Sequence, residues 1–468
     1  MGLNFPSLPS VGTIYPSPAQ PGVPQYRWDG EKWTQQGLQT KPVVYADGSV
    51  PMTGQLKLIA PPLAANDAAA KSYVDGIAPP AGSLRYDIAQ GLSAAQQLQG
   101  RQNVYAAPFD AMAYNGLQVN GTCDVNQMTT GGSSFTVANN VAAYICDAWR
   151  AAVNHVGATF SAQQYLTGGP AGIPCAVGLN LTAGAFTSWS PSDLTILLTH
   201  IEGYRCRRLA WGTANAQPVT ISFWVYAVAA GTATLAVRNA TNDRSYLKDL
   251  AVPAAVWTYL SLTIPGDTAG TWETANGTGM QVSLCFGVGS QYQGTNGQWN
   301  AGNFLGTPTT SLGFFASVNN SAFITGLTIH PGSEGPSAAR SPFIQRPFDQ
   351  ELPLCQRYFE KSYDVGIPPG TVTTVGQYLT FLTTLPSNSF AFYATVPFKV
   401  PKRAAPNVTL YSPVNGTAGK IRDGSNGADV TGNVIYVGQG AYSANAQLLA
   451  AQTNYNFSWQ WSADARLT

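Results

Sequence analysis

The feature that most constrains this chain is a repeated alternation of apolar and polar residues in its middle part. In TISFWVYA (220–227), Ile221, Phe223 and Val225 occupy every second position. The same period recurs in YLSLTIPG, MQVSLCFGVG and AFITGLTIHPG. Successive side chains of a strand point to opposite faces, so each run predicts a strand with one buried face. Such strands, separated by turns, predict a jelly-roll-like β-sandwich over residues 105–335.

Composition agrees with a mainly β protein. Only 10% of the 468 residues are charged, against roughly 25% in ordinary soluble domains. Glycine (48) and proline (32) supply many turns. This pattern is typical of extracellular or virion proteins rather than metabolic enzymes. The net charge is +1, so we expect no nucleic-acid partner. The densest basic cluster holds Arg205, Arg207 and Arg208, and a solvated strand edge is its simplest interpretation.

The C-terminal part predicts a second β-sandwich. Residues 336–350 are rich in proline and serine and are predicted to be a linker. Residues 351–468 follow, opening with ELPLCQRYFEKSYD as a short helix or strand. The last predicted strand, NYNFSWQWSADARL, places four aromatic residues on one face. That face is predicted to be either domain core or a subunit interface: Tyr455, Phe457, Trp459 and Trp461.

Residues 1–40 and 41–104 form two smaller segments. In VPQYRWDGEKWTQQG, Tyr26 and Trp28 precede an Asp-Gly turn and Trp33 follows it, which predicts a hairpin. A lone hairpin is marginal in water, so we expect it to lean on a partner chain. In the second segment, Ser93 and Gln96 have the capping-box spacing for a short connector helix starting at Ala94.

The stretch PMTGQLKLIAPPLAANDAAAKSYVD (51–75) resembles the MTG.L.L…P..ANDAATK.YVD repeat of phage tail-fibre and tail-collar proteins. It departs at Ala70, where threonine is commoner. The resemblance implies a homotrimeric fibre to whose shaft three parallel chains contribute. Apolar residues of so short a stretch lack a core in one chain but can meet around a threefold axis. The expected shaft residues are Leu56, Leu58, Ile59, Leu63 and Tyr73.

Other segments resemble further parts of phage fibres. FPSLPSVGTIYPSP…YRWDGEKWT is similar to N-terminal segments of virion proteins, which implies anchoring through Tyr26, Trp28 and Trp33 to a tail, baseplate or capsid protein. ELPLCQRYFEKSYD and SWQWSADARL look like the start and the closing strand of fibre tip domains. ISFWVYA…ATLAVRNA…VWTYLSLTIPGDTAGTW is similar to jelly-roll carbohydrate-binding modules.

Together these resemblances imply a phage virion fibre that recognises a bacterial surface polysaccharide through its distal β-domains. We expect it in the virion after synthesis in the host cytoplasm, because we find no secretory signal and no membrane-spanning stretch. Two alternatives remain open. One is a structural fibre or decoration protein without a receptor role, and the other is a tailspike-like glycan depolymerase.

A glycan binder needs flat aromatic faces with amides and hydroxyls around them. GSQYQGTNGQWNAGN (289–303) places Tyr292 and Trp299 among polar residues, although a lid over the sandwich or a trimer contact would also explain them. The polar tip loop 415–429 offers cations for acidic sugars, with a solvated turn as the alternative. Trp224 and Trp257 are interpreted as core. The candidate glycan-binding residues are Tyr292, Trp299, Trp189, Trp272, Lys420 and Arg422.

Catalytic and cofactor signatures do not stand out. No GxSxG, Walker-type loop or HExxH occurs, and the acidic residues form no evident catalytic motif. We therefore predict a protein that is not an enzyme and that uses no cofactor or metal. The six cysteines lie far apart, which favours isolated buried thiols in a reducing cytoplasm and leaves an internal disulfide as the alternative.

Overall fold

The computed structural model describes residues 4–36, 91, 93–103, 116–184, 188–310, 313–385, 393–447 and 452–467. The chain forms two compact units, Met1–Gly91 and Leu92–Thr468. The predicted shaft motif lies outside the described residues. The same holds for its five expected shaft residues, which are Leu56, Leu58, Ile59, Leu63 and Tyr73. Its trimeric role therefore stays a prediction.

The N-terminal unit contains the predicted hairpin. Strands β1 (Ile14–Tyr15), β2 (Tyr26–Trp28) and β3 (Trp33–Gln35) form an antiparallel sheet in that order. Asp29 Oδ1 accepts the amide protons of Glu31 and Lys32, each at 2.8 Å, and so fixes the turn. Phe5 stacks on Trp33 at 4.9 Å. The hairpin thus packs against its own chain, and its role as a virion anchor stays a prediction.

The predicted connector helix begins where its capping box places it. Helix α1 spans Ala94–Asn103. The Ser93 amide donates to Gln96 Oε1 at 2.9 Å, and the Gln96 amide donates to Ser93 Oγ at 3.4 Å. These reciprocal bonds satisfy backbone donors that a helix start leaves open. Arg101 ties the helix to Glu334 at 2.8 Å.

Two antiparallel sheets form the predicted sandwich. Their strands are β4 (Ser134–Val137), β5 (Ala143–Cys146), β6 (Trp149–Asn154), β7 (Thr159–Tyr165), β8 (Ala176–Ala183), β9 (Leu194–Glu202), β10 (Val219–Ala227), β11 (Gly231–Arg238), β12 (Arg244–Val252), β13 (Thr258–Ile264), β14 (Thr278–Val288), β15 (Trp299–Ala301) and β16 (Ser321–Pro331). One sheet has six strands in the order β13-β10-β16-β8-β7-β4, and the other has seven in the order β15-β12-β11-β14-β9-β6-β5. The mainly β fold class is confirmed.

The alternating residues fill the space between these sheets. Ile221, Phe223 and Val225 are fully buried in one apolar core, as the period of two predicts. β14 is buried on both faces, because a second apolar cluster containing Cys285 and Val288 covers its outer side.

The basic cluster is not a strand edge, which corrects the sequence interpretation. Arg205 lies in the four-residue helix α2 (Gly203–Cys206), and Arg207 and Arg208 lie in a 3-10 turn, Arg207–Leu209. The chain turns sharply after β9. A Cβ on Gly203 would lie 2.6 Å from the Glu273 carbonyl oxygen, so the turn needs glycine there. Further 3-10 turns span Ser290–Tyr292, Gly313–Phe315 and Ser341–Ile344.

The C-terminal domain opens with both of the elements that the sequence allowed. Helix α3 spans Phe348–Gln356. The strands of this domain form one eight-stranded sheet. The long β24 pairs with β17, β18, β20 and β21. The strands are β17 (Phe359–Lys361), β18 (Tyr378–Leu385), β19 (Ala394–Pro397), β20 (Asn407–Tyr411), β21 (Lys420–Asp423), β22 (Ala428–Ile435), β23 (Ala441–Ala446) and β24 (Gln452–Asp464).

Two predictions for this domain can be compared with the structure. The aromatic stripe of β24 is core: Tyr455, Phe457 and Trp459 are fully buried and Trp461 is 5% exposed. The prediction of a polar tip loop over 415–429 is wrong in part, because β21 and β22 pair as a hairpin whose turn is 424–427. Polar residues alternate there on a strand surface, which a loop prediction does not capture.

The C-terminal domain packs directly on the sandwich. Glu202, at the end of β9, accepts hydrogen bonds from Arg357 and Tyr358. Gln127 Nε2 donates to the Phe359 carbonyl at 2.8 Å. A shared apolar cluster, which includes Val125 and Cys355, lies beside these bonds. Residues 92–468 therefore behave as one compact unit.

All six cysteines are free thiols, and five of them are buried. In the part of the chain that the structure describes, no helix is long and apolar enough to cross a membrane.

Candidate functional site

Four aromatic side chains form a continuous row on the outer face of the six-stranded sheet. The Tyr165 and Phe323 rings lie 4.6 Å apart, and Phe323 and Tyr226 lie 5.6 Å apart. Tyr226 continues to Trp257, also at 5.6 Å. All four side chains are partly exposed. We call Tyr165, Phe323, Tyr226 and Trp257 the aromatic row.

The backbone explains why the row is continuous. Tyr226 and Phe323 are direct partners across β10 and β16, on the face opposite to core residue Val225. Between β16 and β7 lies β8, where Gly178 pairs with Phe323. A Cβ on Gly178 would lie 2.4 Å from the Phe323 ring, so only glycine leaves room for the ring to reach Tyr165.

Polar groups hold the two ends of the row. Trp257 Nε1 donates to the Gly168 carbonyl at 2.7 Å. Asn180 Nδ2 donates to the Tyr165 hydroxyl at 2.8 Å and lies 3.5 Å from Ser161 Oγ. Burial raises the pKa of Tyr165, so its hydroxyl stays protonated at neutral pH. The row therefore presents fixed rings beside an amide and two hydroxyls.

Part of this outer face is covered by the segment that follows β16. Trp224 Nε1 donates to Ser341 Oγ at 3.0 Å, and the Tyr259 hydroxyl donates to the Pro336 carbonyl at 2.6 Å. The predicted linker thus crosses the sheet and covers Trp224. The interpretation of Trp224 and Trp257 as core is wrong, because both rings lie on the outer face, outside the apolar core. The open half of the face begins at the aromatic row.

Two of the candidate residues from the sequence lie together elsewhere. Trp272 is 9% exposed, and its ring lies 5.5 Å from Trp299 and 4.6 Å from Trp211. Trp299 is partly buried, and its Nε1 donates to the Pro265 carbonyl at 2.9 Å. Arg244 lies over Trp299 at 5.9 Å. This packing matches a lid over the sandwich, the alternative that the sequence left open.

The other four candidates do not join them. Trp189 packs over Gly287, and Tyr292 packs against the second apolar cluster. In the C-terminal domain, Arg422 pairs with Asp429 at 3.3 Å and Lys420 Nζ lies 3.2 Å from Thr431 Oγ1. A glycan-binding role for these six residues stays a prediction.

Sequence reasoning missed Tyr165 and Phe323 as candidates. Each stands at an outward position of an alternating strand, which is the signal that could have suggested it. Their proximity depends on strand order, since 158 positions separate them (323 minus 165). Among the described residues, no group of three histidine, cysteine or acidic side chains could hold a metal.

No family model matches the chain, and no curated protein is similar to it in sequence. Among solved structures, it is similar to TmCBM61 in complex with β-1,4-galactotriose (10% identity, 39% of this chain, 88% of that chain, TM-score 0.20). It is similar to the family 11 carbohydrate-binding module from Clostridium thermocellum in complex with a mixed-linked tetrasaccharide (8% identity, 44% and 100%, TM-score 0.22). A third is the enzymatically active domain of bacteriophage CBA120 tailspike protein 4 (7% identity, 47% and 22%, TM-score 0.23).

Proposed function

We propose that this chain is a fibre protein of a phage particle and that its sandwich binds a host-surface glycan along the aromatic row. The observation that carries the proposal is the partly exposed run Tyr165, Phe323, Tyr226 and Trp257. Flat rings suit the C–H faces of sugars, and neighbouring amides and hydroxyls suit sugar hydroxyls.

The shape of the row favours an extended glycan over a single sugar. Its rings follow one another at 4.6 to 5.6 Å across several strands. The Trp257 indole and the Tyr165 hydroxyl are already held by the protein, so little side-chain ordering is needed on binding. A chain of several sugars would contact successive rings.

The fibre part of the proposal is supported by the resemblance of residues 51–75 to the shaft repeat. Exposed apolar side chains in the C-terminal domain add to it, since such patches mark interaction surfaces in soluble proteins. Leu379 and Phe381, on β18, are 46% and 69% exposed. A homotrimer would cover residues of this kind.

Binding to host cells and to purified surface polysaccharide tests the proposal. Trp257→Ala and Tyr226→Ala should each weaken glycan binding by about tenfold or more, the loss expected for an aromatic anchor. Tyr436→Ala is the matched control, because Tyr436 is 79% exposed in the other domain. Thermal unfolding would show that each variant is folded.

The two alternatives give different results in the same experiment. A structural fibre would bind no host polysaccharide, whatever residue is changed. A depolymerase would shorten the polysaccharide, which size-exclusion chromatography would detect. Equal binding by Trp257→Ala, Tyr226→Ala and the unchanged protein would refute the aromatic row as the site.

A further inference from the structure

A cavity lies where the sandwich meets the C-terminal domain. It is an open cavity of about 470 Å³, within the range of small-ligand sites. Three of its arginines come from α2 and the turn after it, and Arg346 comes from the segment before α3. The eight described residues that line it include these four arginines and no carboxylate. We call this site the arginine cleft.

The arginines of the cleft are held by the protein to different degrees. The Arg346 side chain is 7% exposed and donates to the carbonyls of Gly116 and Gln118. Arg205 Nη1 donates to the Leu117 carbonyl at 3.4 Å. Arg207 and Arg208 are exposed at the rim. The cleft thus has an ordered floor and two exposed guanidinium groups at its rim.

Two acidic residues of this region, Glu351 and Glu202, have partners within the protein. Glu351 lies 3.2 Å from Arg346 and accepts the Asn120 amide at 2.5 Å. Glu202 accepts hydrogen bonds from Arg357 and Tyr358. Arg205 and Arg208 lie three positions apart in sequence and place two positive charges on one turn. Neighbouring like charges are destabilising, so a structural role alone does not explain this pair.

The positive charge of this region also affects the pKa of a buried histidine. His330 is 1% exposed on β16. Burial, and after it the positive charges of Arg346 and Arg208, together lower the pKa of His330 to about 4. The contribution of the two arginines has the direction that excess positive charge in this region produces, and the same charge favours an anionic ligand.

The remaining walls suit a sugar better than a bare ion. Tyr204 is 50% exposed beside the arginines, with the Arg207 guanidinium 5.6 Å from its ring centre. Leu354 adds an apolar wall. Guanidinium groups bind carboxylates and phosphates through paired N–H donors. We propose that the arginine cleft binds an acidic oligosaccharide segment through its carboxylate or phosphate groups, at a site separate from the aromatic row.

Calorimetric titration of the full chain with trigalacturonate and with galactotriose tests this site, because the two ligands differ in their carboxylates. Mannose 6-phosphate against mannose tests the phosphate source in the same way. We expect an acidic ligand to bind more tightly than its neutral match, and to bind less tightly in high salt. Arg207→Gln/Arg208→Gln should weaken that binding by about tenfold or more.

A matched control removes two positive charges elsewhere: Lys248→Gln/Lys399→Gln, both exposed and outside the cleft lining. It should bind the acidic ligand as the unchanged protein does. Labelling of the unchanged protein with phenylglyoxal gives a readout that needs no variant. Bound ligand should protect Arg207 and Arg208 from modification.

The proposal would be overturned by the absence of a preference for either acidic ligand over its neutral match, by an equal loss of binding in the control variant, or by the absence of protection at Arg207 and Arg208. Loss of acidic binding in Trp257→Ala, with the cleft variant unaffected, would also overturn it and would place the ligand on the aromatic row. Failure of the aromatic row to bind neutral glycans leaves these outcomes unchanged.

Discussion

Lys402 Nζ lies 2.6 Å from Glu360 Oε2, and both side chains are fully buried in the C-terminal domain. The ammonium also donates to the carbonyls of Gln356 and Val400, each at 2.6 Å. Glu360 in turn accepts the Lys399 amide at 2.9 Å. The pair therefore fastens β17 to the loop after β19 through charges that water does not reach.

Removal of one partner should destabilise the protein strongly. Glu360→Gln leaves the Lys402 charge buried without its counter-ion, and we expect it to lower the free energy of unfolding by about 3–5 kcal/mol. Asp429→Asn is the matched control, since its pair with Arg422 is partly exposed and worth about 1 kcal/mol or less. Denaturant unfolding measures both. Equal losses in the two variants would contradict the prediction.

The contact between the two β-domains makes a second prediction. Glu202 Oε2 accepts from Arg357 Nε at 2.8 Å and from the Tyr358 hydroxyl at 2.7 Å, with its side chain 2% exposed. Glu202→Gln should lower the free energy of unfolding by about 2–4 kcal/mol, because it weakens three hydrogen bonds to the carboxylate and leaves the Arg357 charge without its counter-ion. Hydrogen exchange in β17 should rise with it.

The partly exposed pair Arg101–Glu334 supplies the comparison for that variant. Glu334→Gln should change stability by about 1 kcal/mol or less. A Glu202→Gln protein with unchanged stability and exchange would show that the domains do not depend on this contact.

Substitution of Trp299 distinguishes a structural role of this residue from a binding role. Its ring packs on Trp211 at 5.3 Å and on Tyr246 at 5.4 Å. Trp299→Ala should lower the free energy of unfolding by about 3 kcal/mol, as for loss of a packed aromatic side chain. The folded variant should keep its glycan binding, unlike Trp257→Ala. Weak binding at normal stability would instead support the candidate residue that the sequence suggested.

Local signals in the sequence predicted much of the fold. The alternation in 220–227 gives the buried face of β10, because a strand exposes every second side chain to the core. The Ser93–Gln96 spacing gives the start of α1, because the cap is made within four residues.

The candidate sites needed information that no local window holds. The aromatic row joins residues of different strands, and its continuity depends on Gly178 in a strand between them. The arginine cleft joins α2 to Arg346, across the whole sandwich in sequence. A four-residue helix such as α2 is too short to show a helical period, so the basic cluster was misread.

Histidine burial predicts how stability depends on pH. Burial lowers the pKa of His330 and of His200 to about 4, from 6.5. The folded state therefore binds fewer protons than the unfolded state between these values, and stability falls as pH drops through that window. Burial raises the pKa of Asp147 from 3.8 to about 6, so this group has the opposite effect over nearly the same range.

Melting temperatures between pH 7 and pH 4 test both signs. His330→Gln should flatten the loss of stability on acidification, because glutamine takes up no proton when the chain unfolds. Asp147→Asn should steepen it, since the stabilising protonation of the folded state is removed. For each protein, the melting temperature at lower pH is compared with the melting temperature of the same protein at pH 7. This removes any difference in stability between a variant and the unchanged protein at pH 7. Parallel curves for all three proteins would mean that neither group titrates differently in the folded and unfolded states.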